Sequence, residues 1–394
     1  MLFQGIVLAT AGFCQLAAAA QAFQKVEFTN VGFNGSFTPV KSIKNPDKDS
    51  CSCTVDDAEW FTGSNAPISA GVSVHFRGPL TLHKFAFYNS SEFSIGDNRT
   101  SADWNRVAYY DASSQTADNV TFLTNAGTDS PVLGKALTFA TSNGTGASSS
   151  ASVLAENTLL SSDDEFSIFS NITCPKSGTG KSCGVYRSGI TAYHGFSGVT
   201  KMFLFEFEMP TETQSNSSSF SYYDMPAIWL LNEHIPRTSQ YPTDANCSCW
   251  ASGCGEFDIF EVMNGTERNH LYSTFHTFQG IEDLGTGIQA SGYISRDTSS
   301  TMKGGVVFDS QGNTVVFVSN STTFNETITP ETLNGLVENF SSDESYSTQL
   351  ASISATLPST TSKSNAFSLF EKRAGNLWFY FFTFITSVAH TLLI

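Results

Sequence analysis

Basic residues are scarce in this 394-residue chain: 20 Lys and Arg stand against 36 Asp and Glu, and the formal net charge is −16. A surface so poor in cations cannot neutralise a phosphate backbone, which excludes nucleic acid as a partner. Tandem repeats, which a surface adhesin would show, are also missing, and no protein partner is evident. A neutral polymer such as a polysaccharide remains as the candidate partner.

Long apolar runs are confined to the two ends of the chain. Residues 1–22 hold a short apolar run that ends in small residues, a pattern typical of a cleaved signal peptide. Residues 377–394 are apolar and follow small residues and a spacer, which indicates the signal for a glycosylphosphatidylinositol (GPI) anchor. We expect attachment at Ser364 and removal of residues 365–394, which places the mature protein on the outer leaflet of the plasma membrane or in the cell wall. A retained membrane anchor is the alternative for each run.

Asn-x-Ser/Thr sequons are dense. Beside a signal peptide, this density predicts a heavily glycosylated, secreted protein. The twelve asparagines are Asn34, Asn89, Asn98, Asn119, Asn143, Asn171, Asn216, Asn246, Asn264, Asn320, Asn325 and Asn339.

Seven cysteines remain once Cys14 leaves with the signal peptide. Most should form disulfides in the oxidising secretory route, and the odd count leaves one unpaired. The Cys-x-Cys pairs could also suggest a metal site, but no His accompanies them at zinc-ligand spacing. We therefore predict disulfide bonds, no metal and no other cofactor.

Short β-type runs rich in Phe and β-branched residues recur along the chain, and long helical periods are absent from residues 165–338. The predicted fold class is therefore all-β. Residues 141–152 contain no large apolar side chain, which is typical of a linker. This predicts a β-rich accessory domain at 23–140 and a two-sheet sandwich or jelly roll at 153–340. The Ser/Thr-rich residues 341–364 are expected to form an extended stalk.

Three carboxylates, Glu256, Asp258 and Glu261, fall within six residues of an otherwise apolar strand, in a chain with only 14% charged residues. The cost of burial would normally forbid them there. On a regular strand Glu256 and Asp258 share a face and Glu261 points away. One β-bulge within Ile259–Phe260 would bring all three acids onto one face. The alternative interpretation of the pattern is an exposed strand face or a cation site.

Two glutamates on one face could approach the roughly 5–5.5 Å separation of a retaining glycosidase. One glutamate would then attack the anomeric carbon, and the other would protonate the leaving oxygen and later activate water. Asp258, between them, would help to keep the acid protonated and the nucleophile oriented through like-charge coupling.

Four ordered segments around these acids resemble glycoside hydrolase family 16, the laminarinase-like β-1,3-glucanases with a β-jelly roll. They are FEFEMP (205–210), MPAIWLL (225–231), GEFDIFE (255–261) and YSTFHT (272–277). The resemblance implies that Glu256 is the nucleophile, Asp258 the assisting carboxylate and Glu261 the acid/base. It also implies that Trp229 lines the sugar cleft and that His276 lies near the carboxylates.

Sugar faces stack on Trp or Tyr, and further candidates for the cleft are Trp250, Tyr222 and Tyr223. The segment NCSCWASGCGEFD (246–258) resembles a fungal family of two-domain cell-wall proteins, some of them glycolipid-anchored.

These resemblances imply a retaining endo-β-1,3-glucanase that acts on cell-wall β-glucan in wall remodelling. Two alternatives stay open. One is a transglycosylase that uses the same carboxylates, with a sugar hydroxyl in place of water as the acceptor. The other is a non-catalytic wall protein that binds glucan in a relic cleft, although a relic would be free to lose the three acids that are present.

Overall fold

Strands form most of the regular structure of this chain. A computed structural model describes residues 21–290, 292–338, 345–353 and 355. Most of the predicted signal peptide, the sequon at Asn339, Ser364 and the predicted propeptide 365–394 lie outside the described residues. Within the described ranges, no helix is long and apolar enough to cross a membrane.

The strands and helices are numbered in chain order. The strands are β1 Ala22–Phe23, β2 Lys25–Thr29, β3 Gly35–Phe37, β4 Val40–Lys44, β5 Ser52–Val55, β6 Glu59–Phe61, β7 Val72–Arg77, β8 Leu80–Asn89, β9 Trp104–Asp111, β10 Thr116–Asp118, β11 Val120–Thr124, β12 Thr138–Ala140, β13 Ala147–Ser148, β14 Leu159–Leu160, β15 Glu165–Ser170, β16 Lys201–Glu208, β17 Ala227–Asn232, β18 Glu256–Glu261, β19 His270–His276, β20 Ile288–Gln289, β21 Tyr293–Ser295, β22 Met302–Phe308, β23 Thr314–Val318, β24 Thr327–Ile328 and β25 Ser345–Gln349. The helices are α1 His234–Thr238 and α2 Pro330–Val337, and two 3₁₀ turns span Ala245–Cys247 and Trp250–Ser252.

Most of these strands form two large sheets. Sheet A has eleven strands in the order β1-β21-β19-β18-β17-β7-β15-β11-β12-β13, with β20 paired to β19. Sheet B has ten strands in the order β10-β9-β8-β16-β22-β23-β2-β25, with β14 paired to β8 and β24 to β9. Short two-stranded ladders join β3 to β6 and β4 to β5. The all-β prediction is confirmed.

The main core lies between the two sheets and is rich in Phe. Phe28 of sheet B contacts Phe257 and Phe275 of sheet A edge to face, with ring centroids 5.9 and 5.0 Å apart. Phe76 of sheet A meets Phe205 of sheet B in the same way at 6.0 Å. Such pairs add to the free energy that burial of each ring supplies. Alternate residues of each strand therefore point into this core, and the others point to the outer faces.

The outer face of sheet B is covered by α2. The Thr329 hydroxyl accepts the backbone N–H of Thr332, and Pro330 occupies the first turn, so the helix begins with a normal N-cap. Leu333 of α2 belongs to a second buried cluster with Trp104 of β9. The outer face of sheet A is left to form a groove.

The predicted division into domains at residues 141–152 is wrong, because all described residues belong to one compact unit. β7 pairs with β17 and β15 in the middle of sheet A, and β8 pairs with β16 in sheet B. The small residues of 141–152 form a tight connection that includes β13, and they are flanked by the buried Ala140 and Leu154. β7 is buried along its whole length, so both of its edges need hydrogen-bond partners. β15 and β17, which lie within residues 153–340, supply them.

The predicted stalk is also wrong at its start. β25, at Ser345–Gln349, adds to the edge of sheet B in parallel with β2, and Leu350 is buried in the main core. A polar strand can join a sheet through its backbone alone, which composition does not reveal. The rest of the predicted stalk, from residue 356 onward, is not described.

The prediction of disulfides with one unpaired cysteine is confirmed. Three disulfides form, Cys53–Cys247, Cys174–Cys183 and Cys249–Cys254, and Cys51 stays free and buried. The first of them ties the β4–β5 ladder to the segment that precedes β18.

Most of the sequon asparagines in the described residues are exposed to solvent. Asn34 and Asn89 are half-buried, and the exposed asparagines are Asn98, Asn119, Asn143, Asn171, Asn216, Asn246, Asn264, Asn320 and Asn325.

Candidate active site

A β-bulge lies in β18 where the spacing of the acids predicts it. On β17, Ile228 pairs with Phe260 and Trp229 pairs with Asp258, so Ile259 is the extra residue. The pairing of β18 with β19 also shifts register, between Asp258 and Glu261. Ile259 and Phe260 are both buried in the main core. The bulge prediction is confirmed.

The bulge places the three acids on the groove face of sheet A. Glu256, Asp258 and Glu261 pair with Leu231, Trp229 and Ala227, whereas the intervening β17 residues Ile228 and Leu230 belong to the main core. A cavity of about 400 Å³ adjoins Glu256; its lining includes Leu231, Ile235, Gln240, Tyr241, Pro242 and Trp250.

Asp258 and His276 form a buried pair. The His276 Nε2 atom lies 2.7 Å from the Asp258 Oδ2 atom, and the His276 Nδ1–H bonds to the Leu284 carbonyl. Burial opposes a charge on His276, but the hydrogen bond and charge of Asp258 raise the His276 pKa to about 10. Burial and the charge of Glu261 raise the pKa of Asp258 to about 6. The pair therefore holds Asp258 in one orientation beneath the groove, as an imidazolium–carboxylate contact does.

Glu256 is held by Trp250. The Trp250 Nε1–H donates to Glu256 Oε2. The indole is carried by a short turn that the Cys249–Cys254 disulfide closes, and Gly253 ends it in the left-handed region at φ 88°. A Cβ atom at Gly253 would lie 2.5 Å from the Phe278 ring, so the turn requires glycine. Burial and then the charge of Asp258 raise the pKa of Glu256 to about 7.

Glu261 is held by Arg77 from β7. The Arg77 Nη2–H donates to Glu261 Oε1 at 3.2 Å, and Arg77 Nε–H donates to the Met225 carbonyl at 2.8 Å. The guanidinium lies 4.2 Å from the centre of the Tyr222 ring. Burial opposes the charge on Arg77, but the carboxylates of Glu261 and Glu165 raise its pKa above the ordinary value. Arg77 is thus a fixed cation beside the third acid.

The predicted aromatic residues divide into three groups. Trp229 is only 4% exposed, and the centre of its ring lies 5.3 Å from that of His75, so Trp229 lies in the floor of the groove. Trp250 and Tyr222 reach the groove through their contacts with Glu256 and Arg77. Tyr223 instead donates from its hydroxyl to the Gln214 carbonyl and lies under Arg268, with no contact to the acids recorded among the described residues.

Sequence reasoning missed three polar residues of the groove: Arg77, Glu165 and Tyr241. A charged side chain at the end of an apolar strand, as in VSVHFR (72–77), was the available signal for Arg77. Assigning that strand to a separate domain hid its relation to the acids.

Two clusters in the described part of the chain have the composition of metal ligands. They are Cys51 with Cys53 and Cys247, and Cys174 with Cys183 and His194. Each contains a disulfide, and a disulfide sulfur is not the thiolate that binds metals. Neither cluster fits a metal ion.

The fold and the groove define a β-sandwich protein with three carboxylates on one sheet face. The chain belongs to the family of the cell wall protein YJL171C/Tos1: the model of the family's C-terminal region matches residues 102–336, and the model of its N-terminal region matches residues 24–90. The predicted membership of a fungal cell-wall family is confirmed.

Curated relatives carry one description. The chain is 61% identical to the "Probable circularly permuted 1,3-beta-glucanase YJL171C" of Saccharomyces cerevisiae, over 100% of both chains. It is 54% identical to the "Probable circularly permuted 1,3-beta-glucanase PGA52" of Candida albicans, over 92% of this chain and 94% of the relative. A Schizosaccharomyces pombe relative with the same description is 46% identical over 55% of this chain and 42% of its own length. No solved structure matches the chain.

Proposed function

We propose that this protein is a retaining endo-β-1,3-glucanase that acts on cell-wall β-glucan. The observation that carries the proposal is the bulge in β18, which turns Glu256, Asp258 and Glu261 toward one groove. In the proposed reaction Glu256 attacks the anomeric carbon, and Glu261 donates a proton to the leaving oxygen. Glu261 then takes a proton from the water that cleaves the glycosyl-enzyme ester.

The charges of the groove distinguish the two glutamates. A retaining pair needs one protonated and one ionised carboxyl group. The raised pKa of Glu256 favours a proton there, while the Arg77 cation lies 3.2 Å from Glu261. These surroundings favour the proton on Glu256. The proposed roles require that proton to reside on Glu261 when the glycosidic bond breaks, so the assignment of the two roles needs its own test.

The first experiment compares the unmutated protein with Glu256→Gln on soluble β-1,3-glucan. We expect the variant to lose at least about a thousandfold in kcat, as variants of covalent nucleophiles do. Glu206→Gln is the matched control, because Glu206 is a half-buried strand glutamate on the outer face of sheet B that pairs with Lys84 and Lys303. No activity in either protein would favour a glucan-binding protein without catalysis, and equal activity in both would exclude Glu256 as the nucleophile.

A second experiment assigns the roles. Glu261→Gln should retain activity on aryl glycosides with good leaving groups and gain activity with azide, because the acid is then dispensable and azide can replace the activated water. Glu256→Gln should show neither effect. The opposite result would exchange the roles of the two glutamates. Products longer than the supplied oligosaccharide would indicate a transglycosylase with the same carboxylates, and shorter products alone would indicate hydrolysis.

We further propose that the protein is secreted, glycosylated and GPI-anchored at Ser364, which fits its membership of a cell-wall family. The relatives' names describe a circular permutation. The way that N-terminal strands complete both sheets supports such a permutation here. Release of the protein from the membranes of wall-free cells by a phosphatidylinositol-specific phospholipase C would test the anchor, and a protein that stays membrane-bound after treatment would argue against it.

A further inference from the structure

A fourth carboxylate lies in the same row as Glu261. Ala227 of β17 pairs with Glu261 on one side and with Arg77 on the other, and Arg77 pairs with Glu165 of β15. These residues therefore cross four neighbouring strands on one face of sheet A. Three inter-strand spacings place the Glu165 backbone about 14 Å from that of Glu261. The row leads from the acid/base of the proposed reaction along the groove.

The groove is concave at that point as well. A second cavity of about 420 Å³ adjoins Glu165 and shares Gln240 and Tyr241 with the cavity beside Glu256. The polar residues of its lining include Thr124, Asn125, Lys135, Asp163, Asp164 and Tyr222. The two cavities thus meet at Tyr241, which is 56% exposed. A polymer lying across the strands would contact both.

The three acids of the second cavity have different hydrogen-bond partners. Both Asp163 carboxylate oxygens accept backbone N–H groups of residues 221–222 at 2.7 Å. Asp164 accepts a backbone N–H at 3.1 Å. The Glu165 carboxylate, in the described part of the chain, accepts a recorded hydrogen bond only from the Tyr241 hydroxyl, at 3.3 Å. Asp163 and Asp164 therefore stabilise loops, whereas Glu165 keeps most of its acceptor capacity free.

Burial disfavours the charged form of the Glu165 carboxyl group. It is half-buried, burial raises its pKa to about 7, and Arg77 forms its direct ion pair with Glu261 rather than with Glu165. A partly buried carboxyl group with unused acceptors in a cleft is expected to serve a ligand. Sugar hydroxyl groups are donors that would satisfy it.

We propose that Glu165, positioned by Tyr241, is a specificity-determining residue that hydrogen-bonds hydroxyl groups of the glucan on the leaving-group side of the cleaved bond. This inference rests on the proposed function, in which Glu261 protonates the leaving oxygen and so faces that side. The nucleophile lies beside the first cavity, which would hold the transferred sugar. The second cavity then holds the departing or accepting part of the chain.

The experiment measures kcat/KM for a series of laminari-oligosaccharides with Glu165→Gln and with Glu206→Gln as the control. At pH 8, above the raised pKa of Glu165, Glu165→Gln should lower kcat/KM for the longer members on the order of tenfold, through KM, because a charged acceptor is replaced by a neutral one. The shortest cleaved members should be unaffected, since they do not reach the second cavity. Tyr241→Phe removes only a hydroxyl group from an exposed side chain, and it should show the same length dependence even if Glu165→Gln folds poorly.

A binding measurement separates this inference from the proposed function. Calorimetry with Glu256→Gln and Glu256→Gln/Glu165→Gln should show weaker binding of long oligosaccharides by the double variant, whether or not the unmutated protein is active. The inference would be overturned if the protein is active, if Glu165→Gln and Glu206→Gln have the same kcat/KM at every oligosaccharide length, and if the double variant binds as tightly as Glu256→Gln. That result would leave the glucanase proposal standing. An equal loss at all lengths would also overturn it, because Glu165 would then act at the reacting bond.

Discussion

Replacing Glu256 with Gln should make the folded protein more stable at pH 8 while it removes the proposed nucleophile. Glu256 loses hydration in the groove and lies near the charge of Asp258, and these two effects raise its pKa from 4.5 to about 7. Gln keeps an oxygen that can accept the Trp250 N–H, but it carries no charge. The variant thus removes the cost of an ionised carboxylate and keeps its main contact.

The size of this gain follows from the pKa difference. Above pH 7 the carboxyl group is ionised in both the folded and the unfolded chain, and the folded state bears a cost of up to about 3 kcal/mol. As the pH falls from 7 to 4.5 the folded state binds the proton first, so the cost disappears. Below pH 4.5 the group is protonated in both states, and the gain from Gln should vanish.

Urea unfolding of both proteins, followed by Trp fluorescence from pH 4 to pH 8, would measure the difference. We expect Glu256→Gln to raise the free energy of unfolding by about 2 to 3 kcal/mol at pH 8 and by close to zero at pH 4. Glu206→Gln, which loses a lysine-paired surface charge, should change it by less than about 1 kcal/mol. A Gln variant that is less stable at pH 8, or whose gain grows toward acid pH, would refute the reasoning.

Three further predictions concern the Asp258–His276 pair, the free Cys51 thiol and the Cys53–Cys247 disulfide. His276→Ala should lower the free energy of unfolding by about 3 kcal/mol or more at pH 8, because the Asp258 carboxylate loses its cation. The loss should be smaller at pH 5, where Asp258, whose pKa is raised to about 6, can be protonated. An equal loss at both pH values in urea unfolding would contradict this. The Cys51 thiol should react with an aromatic disulfide reagent only after unfolding, because burial raises its pKa. Loss of Cys53–Cys247 in a Cys51→Ser/Cys53→Ser variant should reduce stability by about 3 to 5 kcal/mol, since that bond closes a separation of 194 residues; an unchanged urea midpoint would count against it.

The arrangement of the acids could be predicted from sequence because it depends on neighbours along the chain. A strand alternates faces with a period of two, so three acids at the spacing of Glu256, Asp258 and Glu261 share a face only if one residue bulges. Ile259 is that residue. The unpaired cysteine followed from an odd count, and the all-β class from short apolar runs. Each of these conclusions needs only local periodicity or composition.

Tertiary structure decided which distant residues complete the groove. Arg77 meets Glu261 across 184 positions, and Glu165 enters the row through the pairing of β15 with β7. Composition could not distinguish the turn within residues 141–152 from a linker, because small polar residues suit both. Strand pairing between distant segments depends on which buried faces fit together once both sheets exist. A pattern read along the chain contains no measure of that fit.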